Sequence, residues 1–242
     1  MVFARVLVLE GLPDARAVTA ARDLADAESV DVGREGALPM GVTVPNTAIS
    51  RVAVSVRITE HGWDIAAPNR NGAVLYPWGQ AATRADRETS VRWPRIGIRV
   101  LPDASGNQHW VLLETDQFPP RRYTSPGGIS VRTDLADPPG ELTAAERAAL
   151  LVVFEQDLSW PPHRHPEPLL LKQASRRLGL SVSGVQDRLK AARTRAIRLG
   201  YLGTGGSTDP GYLYVLVRAG HLDPPQLVTN PHPFGTGVLP HK

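Results

Sequence analysis

The sequence predicts two domains, an all-β sandwich followed by a mostly α unit, on three observations. Residues 1–118 break into short runs rich in Val, Ile and aromatics, separated by clusters of Gly, Pro, Asn and Asp, the pattern of strands joined by turns. Residues 119–140, PPRRYTSPGGISVRTDLADPPG, lose all sustained periodicity and read as a flexible linker. From residue 141 onward, apolar positions recur at three- and four-residue steps behind helix-start signals. A chain of 242 residues is long enough for two modest domains that each bury a core.

The β segments are RVLVLEG, ISRVAVSVRI, GWDIAA, GAVLYPW, RIGIRVLP and HWVLLETDQF. Short strands at this spacing favour a sandwich or barrel over βαβ units. PDARAVTAARDLADA has helix-forming residues, yet a strand interrupted by a loop is the reading taken here. Trp63, in HGWDI, reads as core. In the α unit, Thr143 followed by Glu146 forms a capping box ahead of AALLVVF. A second helix starts near Glu167-Pro168, covers LLLKQASRRL and ends at Gly179. A third runs from Ser181 or Ser183 to Leu199, closed by Gly200, with Val185, Leu189, Ala192, Ala196 and Leu199 as its buried stripe. A Gly-rich turn, GTGGSTDPG, then leads into an expected strand, YLYVLVRAG. The tail 221–242 is Pro-rich and expected to be disordered.

Composition narrows the functional classes. There is no cysteine, so neither disulfides nor thiolate chemistry is available. The opening MVFARVLVLEGLP has too short an apolar run for a signal peptide, and no stretch approaches the roughly 20 apolar residues of a membrane span. A cytoplasmic protein with no membrane association is expected. Abundant Ala, Arg, Gly and Pro with little Lys points to a GC-rich, actinobacterial source. No catalytic constellation, nucleotide-binding loop or dinucleotide fingerprint is present. The His163-Arg164-His165 pair lies in a Pro-rich connection and reads as surface loop, as do the isolated His61 and His109 as surface or edge positions. The expectation is a non-enzyme without metal or cofactor.

Three motifs carry the functional reading of the first domain. Gly33-Arg34 ends a strand, Ser50-Arg51 lies in a loop, and Asn69-Arg70-Asn71-Gly72 precedes another strand. Phosphate recognition on a sandwich needs a guanidinium, a hydroxyl and a group that holds peptide backbone. In this order and spacing the motifs resemble those of forkhead-associated (FHA) domains, β-sandwiches that read phosphothreonine. The resemblance implies that Arg34 and Ser50 bind phosphate, with Arg51 and Arg70 as neighbouring cations. It makes Asn71 the contact to ligand backbone and Gly72 the tight turn. The chain departs from the family at three places. Ala53 stands where the family has a loop-bracing His, Asn69 where it has Ser, and Ala73 where it has Thr.

Residues 141–220 resemble a winged helix-turn-helix, with the Gly-rich turn as wing. Between Lys172 and Arg198 stand eight basic residues and one acid, Asp187, a localised basic segment. The resemblance implies contacts to double-stranded DNA from Gln186, Arg188, Lys190 and Arg193 on the third helix. Lys172, Arg176 and Arg177 on the second would meet the backbone. The whole reads as a regulator that couples Ser/Thr kinase signalling, through a phosphothreonine-containing partner protein, to DNA binding and transcription. Two alternatives stand beside it: a phospho-dependent scaffold whose winged helix docks a protein, and an FHA-like sandwich without phosphate binding.

Overall fold

The computed structural model describes residues 4–13, 15–68, 72–85, 87–100, 108–118 and 140–225. The expected linker therefore lies outside the described residues except for Gly140, as does most of the tail.

Eleven strands are described: β1 (Ala4–Leu12), β2 (Ala15–Asp23), β3 (Ser29–Gly33), β4 (Leu38–Pro39), β5 (Val54–Thr59), β6 (Gly62–Ala66), β7 (Ala73–Pro77), β8 (Thr83–Ala85), β9 (Glu88–Val91), β10 (Arg95–Val100) and β11 (Gln108–Thr115). They form a six-stranded sheet in the order β2-β1-β11-β10-β7-β8 and a five-stranded sheet in the order β4-β3-β5-β6-β9. Apart from the parallel β3–β4 contact, neighbours run antiparallel. Period-2 alternation sends Val6 and Val8 of β1, Val56 and Ile58 of β5, and Val111 and Leu113 of β11 into the core between the sheets. Trp63 is fully buried there, as expected. PDARAVTAARDLADA contributes a strand: β2 pairs with β1 from Arg5↔Asp23 to Leu12↔Ala15, so tertiary pairing overrides its helix propensity.

The second half of the described chain holds four helices and no strand: α1 (Ala144–Val153), α2 (Leu171–Leu178), α3 (Val182–Arg198) and α4 (Gly211–Arg218). The capping box forms as expected, with Glu146 N–H donating to Thr143 Oγ1 at 3.2 Å and Thr143 N–H to Glu146 Oε2 at 2.8 Å. Arg195 of α3 clamps the same carboxylate at 3.1 and 3.3 Å, tying α3 to the start of α1. Gly179 ends α2 in the left-handed conformation, φ 64°, and Ser181 caps α3 by accepting from Gly184 N–H. Val185, Leu189, Ala192 and Ala196 form a fully buried stripe, while Leu199 packs at its edge.

One expectation fails here. YLYVLVRAG is helical, so the hairpin of a wing is absent among the described residues. The stretch is apolar at almost every position, so its own period cannot separate strand from helix. Packing decides: Tyr212, Leu213, Leu216 and Val217 are fully buried, a helical spacing. Asp209 starts the helix by accepting from Gly211 N–H at 2.9 Å. The preceding loop is held down by a Tyr201 hydroxyl bond to Asp209 and by Arg193, which donates to Gly203 O at 3.0 Å.

The helices dock on the sandwich. Strand β11 is buried along its whole length, which a half-solvated sheet does not allow. Its outward Trp110 and Leu112 form a small second core with Leu9, Leu7, Tyr76 and Trp160. Trp160 Nε1 donates to Glu114 Oε1 at 2.6 Å, and Arg16 donates to Pro162 O at 3.1 Å. From the end of β7, Trp78 inserts into the helical core and donates through Nε1 to Leu158 O at 2.8 Å. Gln80 adds a bond to Tyr214 O at 3.0 Å and accepts one from Arg218 at 3.0 Å.

Asp157, in the turn after α1, sits beside this interface. Its Oδ1 accepts the Tyr214 hydroxyl at 3.2 Å, while Oδ2 is buried without a hydrogen-bond partner. Burial pushes its carboxyl above the usual range, with the Tyr214 bond pulling weakly the other way. The folded state thus holds this proton more tightly than the unfolded chain. The stability this confers is complete below the ordinary carboxylate value of about 3.9 and is lost as pH rises through the raised native value. Asp157→Asn should flatten that part of a Tm-against-pH curve as pH rises above ~4. A variant whose curve parallels wild type would refute the assignment.

Candidate functional site

The turns after β3, between β4 and β5, and between β6 and β7 leave the sandwich at one end. This follows from register: Val32 of β3 faces Val54 of β5, and Ser55 faces Ala66 of β6. Two of the three motifs predicted to act together are thereby joined. Arg34 N–H donates to Ser50 O at 3.1 Å and Glu35 N–H to Arg51 O at 2.9 Å. Arg34 Nε donates to Ile49 O at 2.6 Å.

Gly33 makes this contact sterically feasible. A Cβ there would sit 2.3 Å from Arg51 O and 2.8 Å from Ala53 N, so two backbones touch where any side chain would wedge them apart. Ile49, fully buried, anchors the loop from below. Arg34 and Arg51 are exposed on this joined pair of turns, and Ser50 is half-buried. With Nε engaged on Ile49 O, the Arg34 guanidinium has four further N–H donors.

Arg70 and Asn71, with Asn69, lie outside the described residues. Gly72 is described and takes φ 72°, the turn conformation expected of it. The Arg84 guanidinium of β8 lies 3.5 Å from where a Gly72 Cβ would stand, which brings to this end a cation that no sequence motif announced. Ala73 and Ala53 are fully buried.

A second group at this end was also missed. His109, expected at the surface or an edge, is 1% exposed, and Glu10 is 2% exposed. His109 Nδ1 bonds Glu10 Oε1 at 2.9 Å, and Asn46 Nδ2 donates to His109 Nε2 at 3.2 Å. Glu10 also accepts Gly41 N–H at 2.6 Å and the Thr19 hydroxyl at 3.0 Å. Burial raises the Glu10 carboxyl, but the bonds from His109, Gly41 and Thr19 outweigh it and leave the group below the usual carboxylate range. One signal did point here: both residues continue the inward parity of their strands, Val6-Val8-Glu10 and His109-Val111-Leu113.

On the helices, Lys172, Arg176, Gln186 and Lys190 are exposed, while Arg188 is half-buried. Arg177 pairs with Glu155 at 2.6 Å. Arg193 is committed to Gly203 O and to the Tyr201 ring, 5.7 Å from its centroid. Lys172, Arg176, Gln186 and Lys190 make none of the hydrogen bonds that dock the helices on the sandwich, which come from α4 and the segment after α1. His61, His163, Arg164 and His165 are all exposed. Among the described residues no group of three or more His, Asp or Glu is placed to hold a metal ion, and no helix is long and apolar enough to cross a membrane.

No protein-family model matches the chain, and no curated protein matches it. Solved structures with similarity to its N-terminal half include an engineered FHA domain with a Myc-pTBD peptide, 13% identical, with a TM-score of 0.35 over 48% of this chain and 94% of that one. Another is the FHA-1 domain of Mycobacterium tuberculosis Rv1747, 18% identical, with a TM-score of 0.28 over 46% of this chain and 96% of that one.

Proposed function

We propose that the sandwich is a phosphothreonine-reading domain of the FHA type, with Arg34, Ser50 and Arg51 as its phosphate contacts. The observation that carries this reading is the backbone lock between Gly33-Arg34 and Ser50-Arg51, which holds two cations and a hydroxyl on one joined pair of turns. A phosphothreonine carries about −1.5 to −2 charges and three acceptor oxygens. Arg34 and Arg51 supply charge-assisted bonds and Ser50 a hydroxyl donor. Asn71 holds the peptide backbone across Gly72, and Arg70 adds positive potential. The partner is a protein phosphorylated by a Ser/Thr kinase.

The deciding experiment is binding of a phosphothreonine peptide library and its unphosphorylated twin to wild type and Arg34→Ala. Phospho-dependent binding by wild type, weakened at least tenfold in Arg34→Ala, is the expected result, since a charged hydrogen bond is worth about 1.5–3 kcal/mol. Equal binding to both libraries would end the reading.

A second reading concerns the helices. The exposure of Lys172, Arg176, Gln186 and Lys190 on α2 and α3, outside the docking hydrogen bonds, favours nucleic acid as partner, with α3 as the reading helix of a helix-turn-helix. Arg177 and Arg193, both engaged within the fold, drop to minor contributors. Duplex DNA binding should then fall with salt at a slope of about −0.9 per phosphate contact. No affinity at ~50 mM salt would leave a protein-docking role for this face.

A further inference from the structure

The buried Glu10–His109 pair has no part in the phosphate contacts, and its cost calls for a role. A carboxylate and an imidazole inside an apolar sandwich are expensive unless their polar atoms are satisfied. Here their partners lie in the loop between β4 and β5. Glu10 takes the Gly41 N–H, and His109 takes the Asn46 amide. Asn46 Oδ1 accepts from Ala48 N–H at 3.0 Å, so its Nδ2 must face His109. The ring nitrogen Nε2 is therefore the acceptor, and Nδ1–H donates to Glu10.

The bonds continue outward. Asn46 N–H donates to Gly41 O at 3.1 Å, and Ile49 N–H to Asn46 O at 3.2 Å. Ile49 O then accepts Arg34 Nε at 2.6 Å. An unbroken series of hydrogen bonds thus joins a buried carboxylate to the guanidinium that faces the ligand.

We propose that Glu10, His109 and Asn46 are positioning residues that set the β4–β5 loop, and through Ile49 the Arg34 guanidinium, for phosphate; the inference rests on the phosphothreonine reading above.

The test uses the full chain with Asn46→Ala and His109→Phe, and Thr19→Val as control. Thr19, on β2, bonds the same carboxylate at 3.0 Å through Oε2, whereas the loop's Gly41 N–H bonds Oε1. Two readouts are taken: affinity for the phosphothreonine peptide library against its unphosphorylated twin, and solvent protection of the Arg34 Nε–H by NMR. Asn46→Ala and His109→Phe should each expose the Arg34 Nε–H and weaken phospho-dependent binding roughly five- to tenfold. Thr19→Val should leave both unchanged even where it lowers Tm. An Arg34 signal unaffected by Asn46→Ala overturns the proposal. So does a Thr19→Val protein that loses binding like the others, since the network would then be purely structural. Should His109→Phe fail to fold, Asn46→Ala, at a partly exposed loop position, decides alone. A wild-type chain that binds neither library removes the site reading, and the Arg34 signal then judges the brace by itself.

Discussion

Replacing Trp78 by Ala will separate the melting of the helices from that of the sandwich. The indole belongs by sequence to the end of β7 but by packing to the helical core. Truncating a buried Trp costs about 3–5 kcal/mol. The lost Nε1 bond leaves Leu158 O without its donor, and Trp78 O itself accepts from Trp93 Nε1 at 2.9 Å. The adjacent Gly79 abuts Val217 of α4, with a Cβ position 2.8 Å from the Val side chain, so little can move in to fill the gap. In wild type, helical ellipticity at 222 nm and the amide NMR signals of the sandwich strands should report one shared transition. In Trp78→Ala the helical signal should fall on the order of 10 °C earlier. Coincident transitions shifted by no more than about 2 °C would mean that the docked surface carries little energy.

The second large effect is expected from a single methyl. Gly33→Ala places a Cβ against backbone atoms of Arg51 and Ala53, with the nearest oxygen at 2.3 Å. Backbone cannot rotate away as a side-chain tip can. The β4–β5 loop must lift, breaking the Arg34 N–H bond to Ser50 O and the Glu35 N–H bond to Arg51 O. Overpacking of this kind costs about 1–3 kcal/mol, and the proposed phosphate contacts lose their mutual geometry. Gly33→Ala should therefore lower Tm and abolish phospho-dependent peptide binding, a larger loss than Arg34→Ala because all the contacts move together. Gly33→Ala with wild-type affinity would show that Arg34, Ser50 and Arg51 are not held by this contact.

Local sequence reveals the residues of this end of the sandwich unevenly. Gly33-Arg34 at a strand end and Ser50-Arg51 in a loop stood out as short motifs, and the structure joins their backbones. Arg84 was not legible, since an Arg in a three-residue strand has no motif around it. His109 was misplaced at the surface because a single His among apolar residues says nothing about whether a partner waits inside. Its partner Glu10 lies 99 positions away, and only strand register brings them together.

What the sequence alone determined is local. Alternation marked most of the major strands, the Thr143–Glu146 box and Gly179 set helix ends, and the three- and four-residue spacing of α3 named its buried stripe. These features depend on neighbours within a few positions, and such neighbours are written in order along the chain. Tertiary structure alone decided the helical state of 211–218, the full burial of β11, and the docking of helices on the sandwich. An apolar run without its own period takes whatever period its surroundings bury. A strand's outer face is dry or wet according to what covers it, and here the cover, Trp160 and Pro162, lies some fifty residues downstream in sequence. Long-range burial is a property of surfaces that meet, and only the folded chain brings them face to face.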